Sequence, residues 1–205
     1  MNPKKLPKWK TVASKYLVND RWLKLRADTC ITPDGTTIEP WYVLEYPEWI
    51  NCVAIDKDHN VAVLKHYRHG IDDYVLEIIG GNCDTAESPL STLKRELYEE
   101  IGYTDGQIYQ TGVTYANPSS QNNKMYSFLA VGGTFSHSTF NETGADFQII
   151  KMPFMEFVKE FTDNQSPNMY QSLHLTGIFL TLNFIERTNY DNTSDLKQQL
   201  IGNTY

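Results

Sequence analysis

Gly81-Asn-Cys-Asp-Thr-Ala-Glu87-Ser-Pro-Leu-Ser-Thr-Leu-Lys-Arg95-Glu96-Leu-Tyr-Glu99-Glu100-Ile-Gly102-Tyr103 is the stretch that decides the fold. Its second half predicts a helix over residues 88–101. Ser88 suits the N-cap, and Pro89 suits the first helical position because its missing N–H has no partner there anyway. Leu90, Leu93, Leu97 and Ile101 recur three or four apart and predict one apolar stripe. Gly102 follows as a C-terminal stop. Glu96, Glu99 and Glu100 lie opposite the stripe. Residues three and four apart share a helical face, so these like charges repel. A solvated acidic face relieves that repulsion, and so does a bound cation. Magnesium or manganese prefers oxygen ligands and retains waters that can act as nucleophiles.

The residues just before the helix favour the cation. Gly80 and Gly81 end an apolar strand, Tyr74–Ile79, and glycine lets a backbone approach a ligand closely. A loop entering a helix presents free amides and the positive end of the helix dipole, which suit phosphate groups. Arg95 reaches either Glu99 one turn on or Glu87 in the loop, and so ties loop to helix.

Working outward, most of the first 70 residues read as strands. Trp22–Ala27 alternates, and Ile31–Ile38 contains a hairpin turn at Asp34-Gly35. Residues 39–45 are aromatic and β-branched. Ile50–Ile55 and Val61–Tyr67 are apolar strands joined by the polar turn Asp56–Asn60. Strand-like segments return at 107–116, 125–133 and 147–152, with the loop Asn117–Lys124 between the first two. Helical periodicity marks Pro153–Phe161 and Met169–Arg187. The alternation predicts a mixed α/β domain with helices on the sheet faces. The expected organisation is a strand region over 1–45, a domain over 46–188 and a polar, mobile tail over 189–205.

The chain has 205 residues, a net charge of -7 and 40% hydrophobic residues. That charge argues against nucleic acid held on a basic face. A small anionic substrate remains open if a metal supplies local positive charge. Cys30, Cys52 and Cys83 follow no metal-ligand spacing and are expected as free thiols in a reducing compartment. No secretory signal or membrane span is expected, so the cytoplasm is the default.

The opening stretch resembles the Nudix box: Gly, five residues, Glu, seven residues, Arg-Glu, aliphatic, any, Glu-Glu, any, Gly, aliphatic. Gly81, Glu87, Arg95, Glu96, Leu97, Glu99, Glu100 and Gly102 stand at those spacings, and only Tyr103 departs. The resemblance implies an α/β/α sandwich around a mixed sheet. It implies metal ligation by Glu96 and Glu100, by Glu99 as ligand or base, and by the Gly80 carbonyl. It makes Glu87 and Arg95 the bracing pair.

Two features outside the box resemble the ADP-ribose pyrophosphatase branch. Val63-Leu-Lys-His-Tyr-Arg-His69 is similar to a strand ending in Gln-Tyr-Arg, with His66 in place of the Gln. Arg68 would then face a substrate phosphate or base. His66 is either a packed strand histidine or a ligand contact. Pro118 stands near the spacing that marks ADP-ribose hydrolases, or is an ordinary loop proline. The aromatic N-terminal strands resemble the part exchanged between subunits of that branch's dimers, which implies a homodimer. Trp41 is a candidate for stacking on a base. One departure concerns the general base. The loop Ser119–Lys124 has no carboxylate and places Asn122 or Asn123 there, and Gln148 replaces a further acidic position. An amide cannot accept the proton. The base is then Glu99, or Glu142 or Asp146 from a loop, or activity is weak. The resemblance thus implies magnesium-dependent cleavage of a nucleoside diphosphate derivative such as ADP-ribose or a nucleotide sugar. The alternative is a nucleotide-binding sensor that hydrolyses poorly.

Overall fold

Tight turns set the registers of the antiparallel strands. Gly35 adopts φ 87°, which an L-residue with a side chain rarely takes, and donates its N–H to the Thr32 carbonyl at 3.0 Å. The Asp34 carboxylate accepts from the Thr36 N–H at 3.2 Å. The computed structural model describes residues 6–84, 86–136, 147–162 and 171–202. Glu142 and Asp146, the loop alternatives for the base, lie outside the described residues, as do Met169 and Tyr170.

The chain divides into two units, one holding Met1–Pro47 and Tyr115–Lys124, the other Glu48–Thr114 and Met125–Tyr205. The first is built on an antiparallel sheet of β1 (Lys10–Asn19), β2 (Lys24–Ile31) and β3 (Thr37–Glu45), in that order. Buried Asp28 accepts from the Ser14 hydroxyl at 2.6 Å and pairs with Arg26 at 3.0 Å, while Arg26 also pairs with Glu45. Trp22, Tyr42, Tyr16, Leu17 and Val12 are exposed on this unit.

The second unit carries a mixed sheet. Its strands are β4 (Trp49–Asp56), β5 (Asn60–Arg68), β6 (Asp73–Glu77), β7 (Ile79–Asn82), β8 (Gln107–Tyr115), β9 (Lys124–Gly133) and β10 (Phe147–Pro153). The path runs β10-β5-β4-β9-β8, with β6 on β5 and β7 on β4; β4 and β9 are parallel, whereas β4–β5 and β10–β5 are antiparallel. The β4–β5 turn is held by Asp56, whose Oδ1 accepts from the backbone N–H groups of Asp58 and Asn60.

Side chains alternate across a strand, and β4 uses both faces. Ile50, Cys52 and Ala54 face one cluster with Leu93, Leu97 and Ile101 of α1 (Pro89–Ile101). Val53 and Ile55 face the other, with Phe154 and Phe157 of α2 (Phe154–Thr162) and Ile178 and Ile185 of α3 (Ser172–Arg187). Cys52, Ala54, Ala62 and Ala130 are small, which lets α1 lie close to the sheet. The result is helix, mixed sheet, helix: the α/β/α sandwich expected from the sequence. No helix among the described residues is long and apolar enough to cross a membrane. Cys30, Cys52 and Cys83 are free and buried.

Two details differ from the sequence expectation. Leu90 is exposed, and Thr92 is buried in its place because it faces the loop rather than the sheet. The polar tail carries a short 3-10 turn, Asp191–Thr193, and a helix α4 (Ser194–Gly202). Fully buried Leu196 docks α4 into the α2–α3 cluster. One leucine is too weak a periodic signal for sequence to expose, yet it removes as much apolar surface as any core leucine. Leu196→Ala should therefore cost about 2–4 kcal/mol, the range for a buried leucine truncation. Urea denaturation checks this; a loss below about 0.5 kcal/mol, the size of a surface substitution, would show that α4 is not docked.

Candidate active site

Both ends of α1 are pinned by local bonds. The Ser88 hydroxyl accepts from the Ser91 N–H at 3.2 Å, and the Ser91 hydroxyl accepts from the Ser88 N–H at 2.9 Å, a reciprocal cap. At the other end Gly102 turns left-handed at φ 57°, its N–H donating to the Tyr98 carbonyl and that of Tyr103 to the Leu97 carbonyl, each at 3.0 Å. Tyr103, the one departure from the box, is buried. Its hydroxyl donates to the Ile55 carbonyl at 3.0 Å and accepts from the Gly133 N–H at 3.0 Å. A Cβ at Gly106 or Gly133 would overlap its ring. The phenol thus replaces an aliphatic side chain because two glycines clear its volume and two backbone groups satisfy its oxygen.

The loop and helix are braced as a network. Arg95 Nη1 bonds to Glu99 at 2.9 Å and to Glu96 at 3.0 Å, and its Nη2 reaches Glu87 at 3.5 Å. Both partners anticipated for Arg95 are therefore engaged together. Thr92 adds a contact that sequence reasoning missed: its hydroxyl donates to Glu87 Oε2 at 2.8 Å. The Thr92 bond and then Arg95 hold the Glu87 carboxyl below its ordinary range. Gly81 has a steric role. A Cβ there would stand 2.7 Å from Glu96 Oε1, so only glycine lets this carboxylate rest against the loop. Burial pushes the Glu96 carboxyl up, opposed by Arg95.

Gly80, Gly81, Glu100, His66 and Arg68 share one pocket of about 300 Å³, with Glu77 and His174 on its wall. Glu100 carries its most telling feature. Its Oε2 is enclosed and has no hydrogen-bond partner among the described residues. Burial, then the charges of Glu96 and Glu77, push this carboxyl up to about 8. A buried acceptor without a donor costs free energy unless something supplies the missing charge. Glu77 is buried, but it is compensated: Arg68 grips it with Nε at 2.8 Å and Nη2 at 2.5 Å, and His66 Nδ1 stands 3.7 Å away. Arg68, expected to face substrate, thus spends two donors on Glu77, and its Nη1 takes no part in that pair.

Glu77 and His174 were not anticipated from sequence. Glu77 is the sole charge inside the apolar run Tyr74–Ile79, which was the available signal. His174 had none: it lies on α3 and accepts from the Ile78 N–H at 3.1 Å across 96 residues of chain. Trp41, Pro118 and Asn123 belong to the first unit. Trp41 packs edge-on to Trp9 at 5.4 Å, Pro118 is exposed in the turn after Asn117, and Asn123 is buried with neither side-chain polar atom bonded among the described residues. Asn122 Oδ1 accepts from the Tyr46 N–H at 3.4 Å. Gln148 sits exposed on β10 opposite Lys65.

The donors beside Glu100 fit a hard divalent cation. Glu96, Glu99, Glu100 and the Gly80 carbonyl offer only oxygen, and the orphaned Glu100 oxygen is the kind of group such an ion satisfies. Among the described residues no three His, Cys, Asp or Glu side chains already surround one point. Arg95 Nη1 pairs with both Glu96 and Glu99. Magnesium is commonly held by one or two carboxylates, several waters and substrate phosphates, so a closed protein cage is not required.

Residues 9–44 match the nucleoside diphosphate sugar hydrolase N-terminal domain, and residues 46–173 match the NUDIX domain. An ADP-ribose pyrophosphatase of Bacillus subtilis (strain 168) is 24% identical over 121 residues, covering 59% of this chain and 65% of that protein. A methanol dehydrogenase activator of Bacillus methanolicus is 29% identical over 104 residues, covering 51% and 56%. An ADP-ribose pyrophosphatase of Mycobacterium tuberculosis (strain ATCC 25618 / H37Rv) is 32% identical over 95 residues, covering 46% and 45%. The matches therefore span between 45% and 65% of these relatives' lengths. The fold is also that of a solved ADP compounds hydrolase, with a TM-score of 0.75 at 19% identity, covering 89% of this chain and 97% of that one. The NUDIX match takes in more than half of the 205 residues, including the whole box, and the chain belongs to the Nudix family.

Proposed function

We propose that the protein hydrolyses the diphosphate bond of a nucleoside diphosphate derivative, with ADP-ribose or a related nucleotide sugar as substrate. The enclosed, unpartnered Glu100 oxygen beside Glu96 and Gly80 carries this reading. Glu96, Glu100 and the Gly80 carbonyl would hold magnesium, with manganese as a substitute. Bound there, the ion would offset charge on the phosphate oxygens and make a coordinated water more acidic. Arg95 and Glu87 keep the loop and helix at fixed separation. Arg68, locked on Glu77, presents its remaining edge to the pocket. Glu99 is the proposed acceptor for the proton of the attacking water. Water oxygen bonds to one phosphorus and the bridging oxygen leaves, giving a nucleoside monophosphate and a sugar phosphate. Incubation with magnesium and ADP-ribose should release AMP. Stabilisation by the ligand without product would favour the poorly hydrolysing sensor instead, which the amides at Asn122 and Asn123 favour.

The exposed Trp22, Tyr42, Tyr16 and Leu17 of the first unit support a homodimer formed through that unit. Light scattering on the full chain should return twice the monomer mass.

Glu100→Gln should lower turnover at least about 100-fold, since groups merely behind metal ligands already cost about 10- to 100-fold. Gly81→Ala, by displacing Glu96, should weaken magnesium binding about 10- to 100-fold while leaving the melting temperature near wild type. Turnover and magnesium titrations of both variants check this.

A pH effect follows for the metal-free protein. An acid whose pKa is raised by folding contributes stability that is complete below its unfolded value and is lost as the pH climbs through the folded one. For Glu100 that window runs from 4.5 to about 8. Metal-free wild type should lose thermal stability across it, and Glu100→Gln or saturating magnesium should flatten that loss. Melting curves at several pH values decide the point; identical slopes for wild type and Glu100→Gln would refute it.

A further inference from the structure

His174 is a polar group that the mechanism above leaves unused. It lies on α3 and is 5% exposed, with its ring at the wall of the pocket that holds Gly80 and Glu100. Its Nδ1 accepts the Ile78 N–H at 3.1 Å. That bond fixes the ring's chemistry. A proton on Nδ1 would set two donors against each other, so the imidazolium and the Nδ1–H tautomer are both excluded. The ring is therefore neutral and carries its proton on Nε2.

Nε2 makes no hydrogen bond among the described residues and is not one of the fully enclosed polar atoms, so its N–H is open to a partner. Glu77 accepts from Arg68 on each oxygen, and no hydrogen bond joins it to the ring among the described residues. The Cε1–Nε2 edge instead borders Gly80: a Cβ built there would stand 3.5 Å from each of those atoms.

We propose that the Nε2–H of His174 donates a hydrogen bond to a phosphate oxygen of the diphosphate bound beside Gly80 and Glu100. This rests on the diphosphate-hydrolase reading. The pocket is rich in carboxylates, which repel an anionic substrate. A protonated histidine would offset that, but would also oppose a cation at Glu100. A neutral, fixed donor attracts the phosphate oxygen without that cost. Its position is set in advance, because Ile78 lies on the same backbone run as Glu77 and Gly80.

Two substitutions separate the ring's halves. His174→Asn keeps an acceptor for the Ile78 N–H and loses the outer donor. His174→Gln keeps a donor at the reach of Nε2 and gives up the Ile78 bond. Binding of a methylene-bridged, non-hydrolysable ADP-ribose analogue is measured by calorimetry with magnesium present, alongside kcat/KM on ADP-ribose and melting temperature. His174→Asn should bind the analogue about 10- to 100-fold more weakly, the usual worth of a hydrogen bond to a charged group. Its melting temperature should be unchanged, and His174→Gln should recover most of the affinity. Wild-type affinity in His174→Asn, with wild type binding and hydrolysing normally, overturns the proposal alone. A wild-type protein that neither binds the analogue nor cleaves ADP-ribose overturns the diphosphate reading and this proposal with it. Should His174→Asn destabilise the fold, His174→Gln decides: wild-type-like binding supports the donor, and an equal loss overturns it.

Discussion

Glu96 lays its carboxylate against the backbone of Gly81, where an added Cβ would stand 2.7 Å from Oε1. Much of the second unit's chemistry depends on that contact. It keeps the Glu96 carboxylate against the loop that ends β7. Arg95 can bridge Glu87, Glu96 and Glu99 because loop and helix are already at that separation. The Ser88–Ser91 cap and the Gly102 turn then keep α1 from sliding along the sheet. A side chain at Gly81 would push Glu96 outward and leave Arg95 with mismatched partners.

The pocket treats its buried Glu77 and its half-buried Glu100 differently. Glu77 is neutralised from within, by a guanidinium that bonds both of its oxygens. Glu100 has no such partner, and both burial and neighbouring negative charge act against its ionised form. A buried ion pair at most repays its own desolvation, whereas a buried lone charge is strongly unfavourable. The two arrangements therefore do different work. Arg68–Glu77 is closed and fixes the pocket wall, while Glu100 remains short of positive charge at the mouth of the box. That difference marks where a cation would stabilise the protein most.

Sequence made α1 legible because its signals are local. Caps, stripe and carboxylate spacing all fall within one run of 23 residues, and helical geometry turns spacing directly into faces. The strands were legible for the same reason, since alternation and turn chemistry are short-range. The pocket wall was not. Glu77 stands opposite Leu64 in the β5–β6 register yet is reached by the Arg68 guanidinium, and His174 meets Ile78 across nearly half the chain. No periodicity encodes such pairings. Tyr103 was visible as a departure from the box, but the glycines that make room for it, Gly106 and Gly133, were not. Leu90 fitted the apolar period and is nevertheless exposed, because the helix's first turn overhangs the loop, and Thr92 turns inward to bond Glu87.

The position of each box carboxylate also bears on the proposed base. Glu100 has its Oε2 enclosed without a hydrogen-bond partner among the described residues, a position that suits a cation. Glu96 is wedged between Gly81 and Arg95. Glu99 differs from both: its side chain is 55% exposed, and Arg95 takes only one of its oxygens. A base must release the proton it takes, and an exposed carboxylate can pass it to solvent. Asn122 is committed to the Tyr46 backbone and has no basic oxygen to offer. Among the described residues the access requirement therefore falls on the helix, at the box carboxylate with an open side.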